Sequence, residues 1–325
     1  GNGDSEVSKQ LKGKDERGLL FGKMFGLQAL LNEPVFTNVF LEGEGDRKVS
    51  EFAIRFMDEL AQLAIRKTWL REPCLFTLFQ TVQKLLPFAD SRTIGSVFML
   101  LDQYQLTLTN EGLAVYLLVL HNGTMDNKSM CASLSLNSKG WKSNDPLSRG
   151  NLPLLSQVLR DSTVAQNEED AISSPTPKAS NWNPRLHFVW DILLPIVTQE
   201  RQTSLSTTGK GKPVSKKRKK EKVADIEFPE FWQMAVDETF FNEKASNERK
   251  FLGFLIFQKT LELAPSHLLH CCFSQNFMRS LINQSTDSKR LLYKISQKAL
   301  NKIVDICEKD SSNKLLPCLE AILFG

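Results

Sequence analysis

Residues 49–63 have the sequence VSEFAIRFMDELAQL, in which large apolar side chains recur at helical spacing. Val49, Phe52, Phe56, Leu60 and Leu63 are separated by steps of three, four, four and three residues. Because an α-helix has about 3.6 residues per turn, these steps place the five side chains on one stripe. The stretch therefore predicts an amphipathic helix that buries one face.

The same spacing recurs towards both ends of the chain, in residues 20–31 and 292–306. Residues 228–241 also predict a helix, and strict two-residue alternation over the length of a strand is absent. Short breaks that carry Pro, Gly, Asn or Ser separate the helical stretches. This pattern favours an all-α fold of stacked helix pairs, a degenerate HEAT/armadillo-like helical solenoid with flexible insertions.

Three segments carry too few apolar residues to offset the entropy lost on ordering. We therefore expect amino-terminal helical repeats over 1–121, a flexible loop over 122–148, a helical segment over 149–198 interrupted by an acidic Ser/Pro linker at 161–183, a basic disordered insertion over 199–225, and a second helical block of the same solenoid over 226–325.

The positive charge of the chain is concentrated in one tract, residues 210–222. Outside this tract there are 33 basic and 36 acidic residues, so the body is slightly acidic. Such a tract is typical of a nuclear import signal or a nucleic-acid tether, and the alternative is a solvated linker. The candidate residues for binding a nuclear import receptor are Lys210, Lys212, Lys216, Lys217, Arg218, Lys219, Lys220 and Lys222.

Motifs for catalysis, cofactors and metals are missing from the sequence. There is no phosphate-binding glycine loop and no Gly-x-Ser-x-Gly element. Asp237 and Glu238 are adjacent, so they point to different helical faces and do not form a metal-binding pair. His267, His270 and Cys271 share a helical face but lack a paired ligand motif. We expect neither a metal nor a cofactor, and the six cysteines are expected to be reduced thiols.

Several other features are best explained by packing. Gly18, Gly22 and Gly26 stand four residues apart, a spacing that lets another helix approach closely. Residues 251–257 are apolar on every side, which indicates a helix buried by several neighbours. The longest apolar runs contain seven residues, far short of the ~20 that a membrane span needs. We therefore expect no membrane-spanning segment.

A series of motifs resembles the DNA polymerase phi family, called DNA polymerase V in fungi, whose animal members are nucleolar Myb-binding proteins. The motifs occur in the family's order and cover roughly residues 15–300. Two positions depart from the family's pattern. Gly18 stands where an acidic residue is expected, and Thr68 stands where a Pro is expected. The motifs lie in 16–27, 67–72, 108–114, 187–191, 231–241 and 248–254, with a weaker match at 276–281.

The resemblance implies a HEAT/armadillo-like fold, nucleolar residence, and a role in ribosomal DNA (rDNA) transcription and ribosome biogenesis. The implied partners are ribosome-assembly, chromatin or transcription proteins, with rDNA or precursor ribosomal RNA (pre-rRNA) as a further possibility. We expect the chain to be most of the amino-terminal helical region of a longer protein. The motif residues, interpreted as structural, are Phe21, Gly22, Phe25, Gly26, Trp69, Leu70, Arg71, Trp190, Trp232, Asp237, Arg249, Lys250 and Gly253.

The leading hypothesis is thus a non-catalytic nucleolar scaffold that regulates through binding. A template-directed DNA polymerase is the first alternative, suggested by the family's name but not by any arrangement of carboxylates. A solenoid receptor for nuclear transport is the second alternative, and its weakness is that such receptors would carry no import tract of their own.

Overall fold

The computed structural model describes residues 3–121, 127–134, 140–160, 185–199 and 225–324. These residues are mostly helical, which confirms the all-α prediction. A small hairpin interrupts them, in which β1 (Leu41–Glu42) pairs antiparallel with β2 (Lys48–Val49). The described residues divide into two compact units, the first ending at Gly140 and the second beginning at Trp141.

The first unit is built on a central helix pair joined by the single residue Lys67, with a further helix packed against the second member. Its helices are α1 (Gly3–Ala29), α2 (Val35–Phe40), α3 (Glu51–Arg66), α4 (Thr68–Leu85), α5 (Ser91–Gln103), α6 (Asn110–Leu120) and α7 (Asn127–Ser133). The central pair is α3 and α4, and α6 packs against α4.

The predicted stripe of residues 49–63 lies largely on α3, where Phe56, Leu60 and Leu63 are buried. Val49 instead belongs to β2, because the helix begins only after Ser50. The hydroxyl of Ser50 accepts a hydrogen bond from the Ala53 amide at 3.2 Å. This cap satisfies an amide that has no partner within the helix, so it sets the first helical residue.

The second unit packs two long helices, Asn247–Leu263 and Tyr293–Lys309, against each other and against several shorter ones. Its helices are α8 (Leu152–Arg160), α9 (Val189–Thr198), α10 (Phe228–Phe231), α11 (Glu238–Phe240), α12 (Asn247–Leu263), α13 (Leu269–Cys272), α14 (Gln275–Ser285), α15 (Tyr293–Lys309) and α16 (Leu315–Phe324). α12 contacts α9 and α15, while α13 and α15 both contact α16. The helix predicted over 228–241 is divided by a π-helical turn at Trp232–Asp237.

The core of the second unit is a network of phenylalanine rings from α12, α14 and the residues that directly follow α11 and α13. The ring of Phe277 in α14 stacks on Phe257 of α12 at 3.9 Å between centroids. It also meets Phe241 edge-on at 5.2 Å and Phe273 at 6.3 Å. Edge-to-face and stacked ring pairs add stabilisation beyond the burial of their area. This network therefore holds α12 and α14 together.

Residues 127–134 and 140–148 are the described part of the segment predicted as a flexible loop over 122–148. They include α7, and the side chains of Trp141 and Leu147 are buried. The amide side chain of Asn151 organises this segment, since its oxygen accepts from the Lys142 amide at 2.7 Å and its nitrogen donates to the Asp145 carbonyl at 2.8 Å. The predicted linker at 161–183 and nearly all of the insertion over 199–225 lie outside the described residues.

In the part of the chain that the structure describes, none of the helices has the length and apolar character needed to cross a membrane.

Gly112 in the first turn of α6 is required by a close approach of backbone. A Cβ atom at this position would lie 2.1 Å from the carbonyl oxygen of Leu106, in the 3-10 turn Leu106–Leu108. The hydroxyl of Thr109 caps the same helix by accepting from the Gly112 amide at 3.1 Å. The cap and the missing side chain together let α6 begin directly against this turn.

We predict that Gly112→Ala destabilises the protein by about 2–3 kcal/mol, because the added methyl group forces the backbone apart. The midpoint of urea unfolding, followed by far-ultraviolet circular dichroism, measures the change. The matched control is Gly22→Ala in α1, where a Cβ would meet nothing within 4 Å. It should leave stability unchanged or raise it by up to ~1 kcal/mol. Equal midpoints for the two variants would contradict this explanation.

Candidate functional site

The basic tract at 210–222, the sharpest candidate from the sequence, lies outside the described residues. The other candidates are the motif residues of the two units. Their environments decide whether they are placed for chemistry or for packing.

Asp237 is a buried acidic motif residue, 1% exposed, and its carboxylate caps the start of α14. Its Oδ1 atom accepts from the Ser274 hydroxyl at 2.5 Å and from the Phe277 amide at 3.0 Å. Its Oδ2 atom accepts from the Asn276 side chain at 2.9 Å. We call this arrangement the Asp237 cap. A carboxylate there satisfies free amide groups and interacts favourably with the helix dipole.

Tryptophan and glycine positions of the motifs pack in the same unit, and Trp232 contacts this cap directly. The indole nitrogen of Trp232 donates to the Ser274 hydroxyl at 3.2 Å, so it holds the group that in turn binds Asp237. Trp190 is buried, with its ring 5.9 Å from that of Phe240. A Cβ on Gly253 would lie 2.7 Å from the ring of Phe241. These motif residues therefore fix the packing of α9, α12, α14 and the π-helical turn.

Arg249 and Lys250 are half-buried residues of the first turn of α12. The amide of Arg249 donates to the Ser246 hydroxyl at 3.3 Å, which caps the helix. The ammonium group of Lys250 donates to the carbonyl oxygen of Glu243 at 3.3 Å. Both residues thus support the connection that leads into α12.

Two motif residues of the first unit, Phe21 and Trp69, join α1 to α4. The ring of Phe21 lies 4.7 Å from that of Trp69, and the guanidinium of Arg17 lies 5.1 Å above the Trp69 ring. Leu70 is fully buried. Arg71 interacts with Glu111, whose pKa is raised by burial and partly lowered again by the Arg71 charge. This region is an aromatic contact between two helices.

The close helix approach predicted at Gly18, Gly22 and Gly26 is wrong for the described residues. A Cβ at any of the three would meet nothing within 4 Å. Leu20 and Met24 supply the buried side of α1, whereas Phe25 is 58% exposed. The glycines lie on the opposite side of α1, because each stands two residues along the helix from Leu20 or Met24.

No group of three potential metal ligands is close enough to bind an ion within the described ranges. Cys271 and the imidazole of His270 lie 3.3 Å apart on consecutive residues. Burial raises the pKa of the Cys272 thiol well above its ordinary value and that of Cys318 to about 12. Thiols held in this way are poor nucleophiles, since the thiolate is the reactive form.

A solvent-facing cleft of about 330 Å³ lies on the outer side of the π-helical turn. We call it the α8 cleft, and its lining is Arg149, Leu152, Pro153, Glu230, Gln233, Met234 and Glu238. The guanidinium of Arg149 pairs with the carboxylate of Glu230. The side chain of Gln233 donates to Glu238 at 3.2 Å. The cleft thus combines an apolar floor with two carboxylates on its wall.

The model of the family described as DNA polymerase phi matches residues 2–325. The chain belongs to the DNA polymerase phi family. This result confirms the resemblance drawn from the sequence motifs.

Two curated relatives are named as regulators. The chain is 51% identical over its whole length to "rDNA transcriptional regulator POL5" of Saccharomyces cerevisiae, and it covers 31% of that protein. It is 25% identical over 94% of its length to "rDNA transcriptional regulator pol5" of Schizosaccharomyces pombe, covering 28% of it. The chain therefore spans about a third of the length of these relatives. No solved structure is significantly similar to it.

Sequence reasoning missed the α8 cleft. Its carboxylates lie in a segment, 225–243, that contains six acidic residues and no basic one, and this bias was a usable signal. The π-helical turn itself gave no signal, because residues 228–241 have ordinary helical spacing. Such turns occur frequently at functional sites.

We predict that Asp237→Ala destabilises the protein by about 3 kcal/mol, since it leaves the buried Phe277 amide without its charged acceptor. Urea unfolding measures the loss. Glu238→Ala changes the adjacent, exposed carboxylate and should alter stability by no more than ~0.5 kcal/mol. A small effect of Asp237→Ala would show that the cap is not structural.

His187 predicts a pH dependence of stability. Burial, and secondarily the charge of Arg185, lowers the pKa of its imidazole from 6.5 to about 4. Between these two pH values the unfolded chain binds a proton that the folded protein does not. The contribution of the neutral His187 to the free energy of unfolding is therefore fully present above pH 6.5 and is lost as the pH falls towards 4. His187→Gln should reduce this fall by up to ~3 kcal/mol. The measurement is urea unfolding at pH 7 and pH 4.5, with His270→Gln at an exposed position as the control.

Proposed function

We propose that this chain is a non-catalytic binding region of a nucleolar regulator that acts in rDNA transcription and ribosome biogenesis. The observation that carries the proposal is 51% identity over the whole chain to a relative named as an rDNA transcriptional regulator. The region would reside in the nucleus and the nucleolus. Its partners would be ribosome-assembly, chromatin or transcription proteins, with rDNA or pre-rRNA contacted in addition.

A HEAT/armadillo-like stack is the architecture that suits this role. Helix pairs such as α3 with α4 and α12 with α15 pack side by side in their units. Stacked pairs present extended surfaces to partners without needing an enclosed active site. Within this proposal, the basic tract Lys216–Lys220 binds a nuclear import receptor and delivers the region to the nucleus.

Catalysis as a template-directed polymerase is disfavoured by the environment of Asp237. Phosphoryl transfer relies on carboxylates that converge on Mg²⁺ and remain open to substrate. The carboxylate of Asp237 is instead buried and accepts from Ser274, Asn276 and Phe277. Its role in the fold leaves it unsuited to hold a metal beside a nucleotide.

The test is a pull-down from nuclease-treated nuclear extract with two baits, the chain and a variant with Lys216, Lys217, Arg218, Lys219 and Lys220 replaced by Gln. We expect both baits to recover ribosome-assembly, chromatin or transcription proteins, because the folded units bind them. Only the unaltered chain should recover an import receptor. Recovery of none of those protein classes by either bait would contradict the proposed function.

A further inference from the structure

The α8 cleft is lined by two carboxylates and one guanidinium, and further acidic residues lie close to it in the sequence. Asp225, Glu227 and Glu238 are exposed, and Glu230 lies on the cleft wall with its side chain 31% exposed. Arg149 is the one cation among the described lining residues. Phosphate groups are repelled by such a surface, so it disfavours nucleic acid and favours a cationic ligand.

The floor of the cleft complements the stem of a long cationic side chain. Leu152 and Pro153 from the first turn of α8 face Met234 from the π-helical turn across it. Lysine and arginine bury their methylene stems along apolar surface while the charged end stays polar. A volume of about 330 Å³ is at the lower end of ligand cavities, which suits one or two side chains.

The π-helical turn sets the spacing of the polar wall. Its hydrogen bonding joins residues five apart, which places Gln233 beside Glu238, and their side chains are 3.2 Å apart. In an α-helix the neighbours on one face are three and four residues apart instead. Glu238 is thereby held beside the same cleft as Glu230.

Arg149 shows what kind of group the wall accepts. Its guanidinium already pairs with Glu230, although its side chain is 66% exposed. Exposed ion pairs contribute little net stability, because both groups remain well solvated. An incoming guanidinium or ammonium group can therefore replace Arg149 at little cost.

We propose that the α8 cleft binds a Lys/Arg-rich peptide segment of a partner protein, with the cation held by Glu230 and Glu238 and its stem lying on Leu152, Pro153 and Met234. Basic segments of this kind are typical of proteins that bind nucleic acid. The inference rests on the binding role proposed above and names the chemistry of the partner.

The test uses the 325-residue chain and fluorescein-labelled octa-arginine, followed by fluorescence anisotropy at near-physiological salt. The double variant Glu230→Gln with Glu238→Gln should bind the peptide at least ~10-fold more weakly, because both wall charges are lost. The matched control is Glu308→Gln with Glu320→Gln, which removes the same charge from exposed positions of α15 and α16. It should weaken binding by less than ~3-fold, as expected for distant, screened charges.

Arg149→Gln provides an independent arm, since it removes the internal competitor for Glu230. It should bind the peptide more tightly than Lys298→Gln, which removes one positive charge from an exposed position of α15. Circular dichroism confirms that each variant is folded.

Equal losses in the two double variants would mean that the peptide senses only the overall charge, and the proposal would be overturned. Absence of peptide binding to the unaltered chain would overturn it as well. Because the pull-down scores protein partners of any chemistry, recovery of partners without peptide binding would reject the cleft alone.

Discussion

The hydrogen bonds of the Asp237 carboxylate at the start of α14 are the constraint on which the second unit depends. They fix the first turn of α14, and one of them is donated by the backbone amide of Phe277. The ring of the same residue lies among Phe241, Phe257 and Phe273 in the aromatic core. One buried carboxylate therefore joins a polar cap to the apolar network that holds the unit together. Burial of a charge is tolerated here because each contact is to a well-placed donor.

The π-helical turn at Trp232–Asp237 presents one set of side chains to the core and another to the α8 cleft. Its inner side carries Asp237 and Trp232, which pack and cap. Its outer side carries Gln233 and Met234, which line the α8 cleft together with Glu238 of α11. This division separates residues needed for the fold from residues available to a partner.

The sequence predicted much of this arrangement, and the remainder depended on information that apolar spacing does not contain. The all-helical class followed from the recurrence of residues such as Phe56, Leu60 and Leu63, since burial of one stripe forces that spacing. Trp190 and Trp232 are buried, and a Cβ on Gly253 would lie against the ring of Phe241, which are packing environments that need contacts from outside their own segments. The partner of Asp237 was not predictable, because Ser274 lies 37 residues away and capping across that distance leaves no local pattern. The close helix contact predicted at glycines 18, 22 and 26 failed because their spacing identifies one face of a helix but does not show whether another helix packs on that face.

The most direct test of the central claim, that Asp237 holds the fold and the chain works by binding, is anomalous X-ray diffraction from crystals soaked in Mn²⁺ and a nucleoside triphosphate. The account predicts that the Asp237 carboxylate keeps its contacts with Ser274, Asn276 and Phe277 and that no anomalous peak lies beside it. A manganese ion coordinated by Asp237 and a second carboxylate, with the triphosphate bound to that ion, would contradict it.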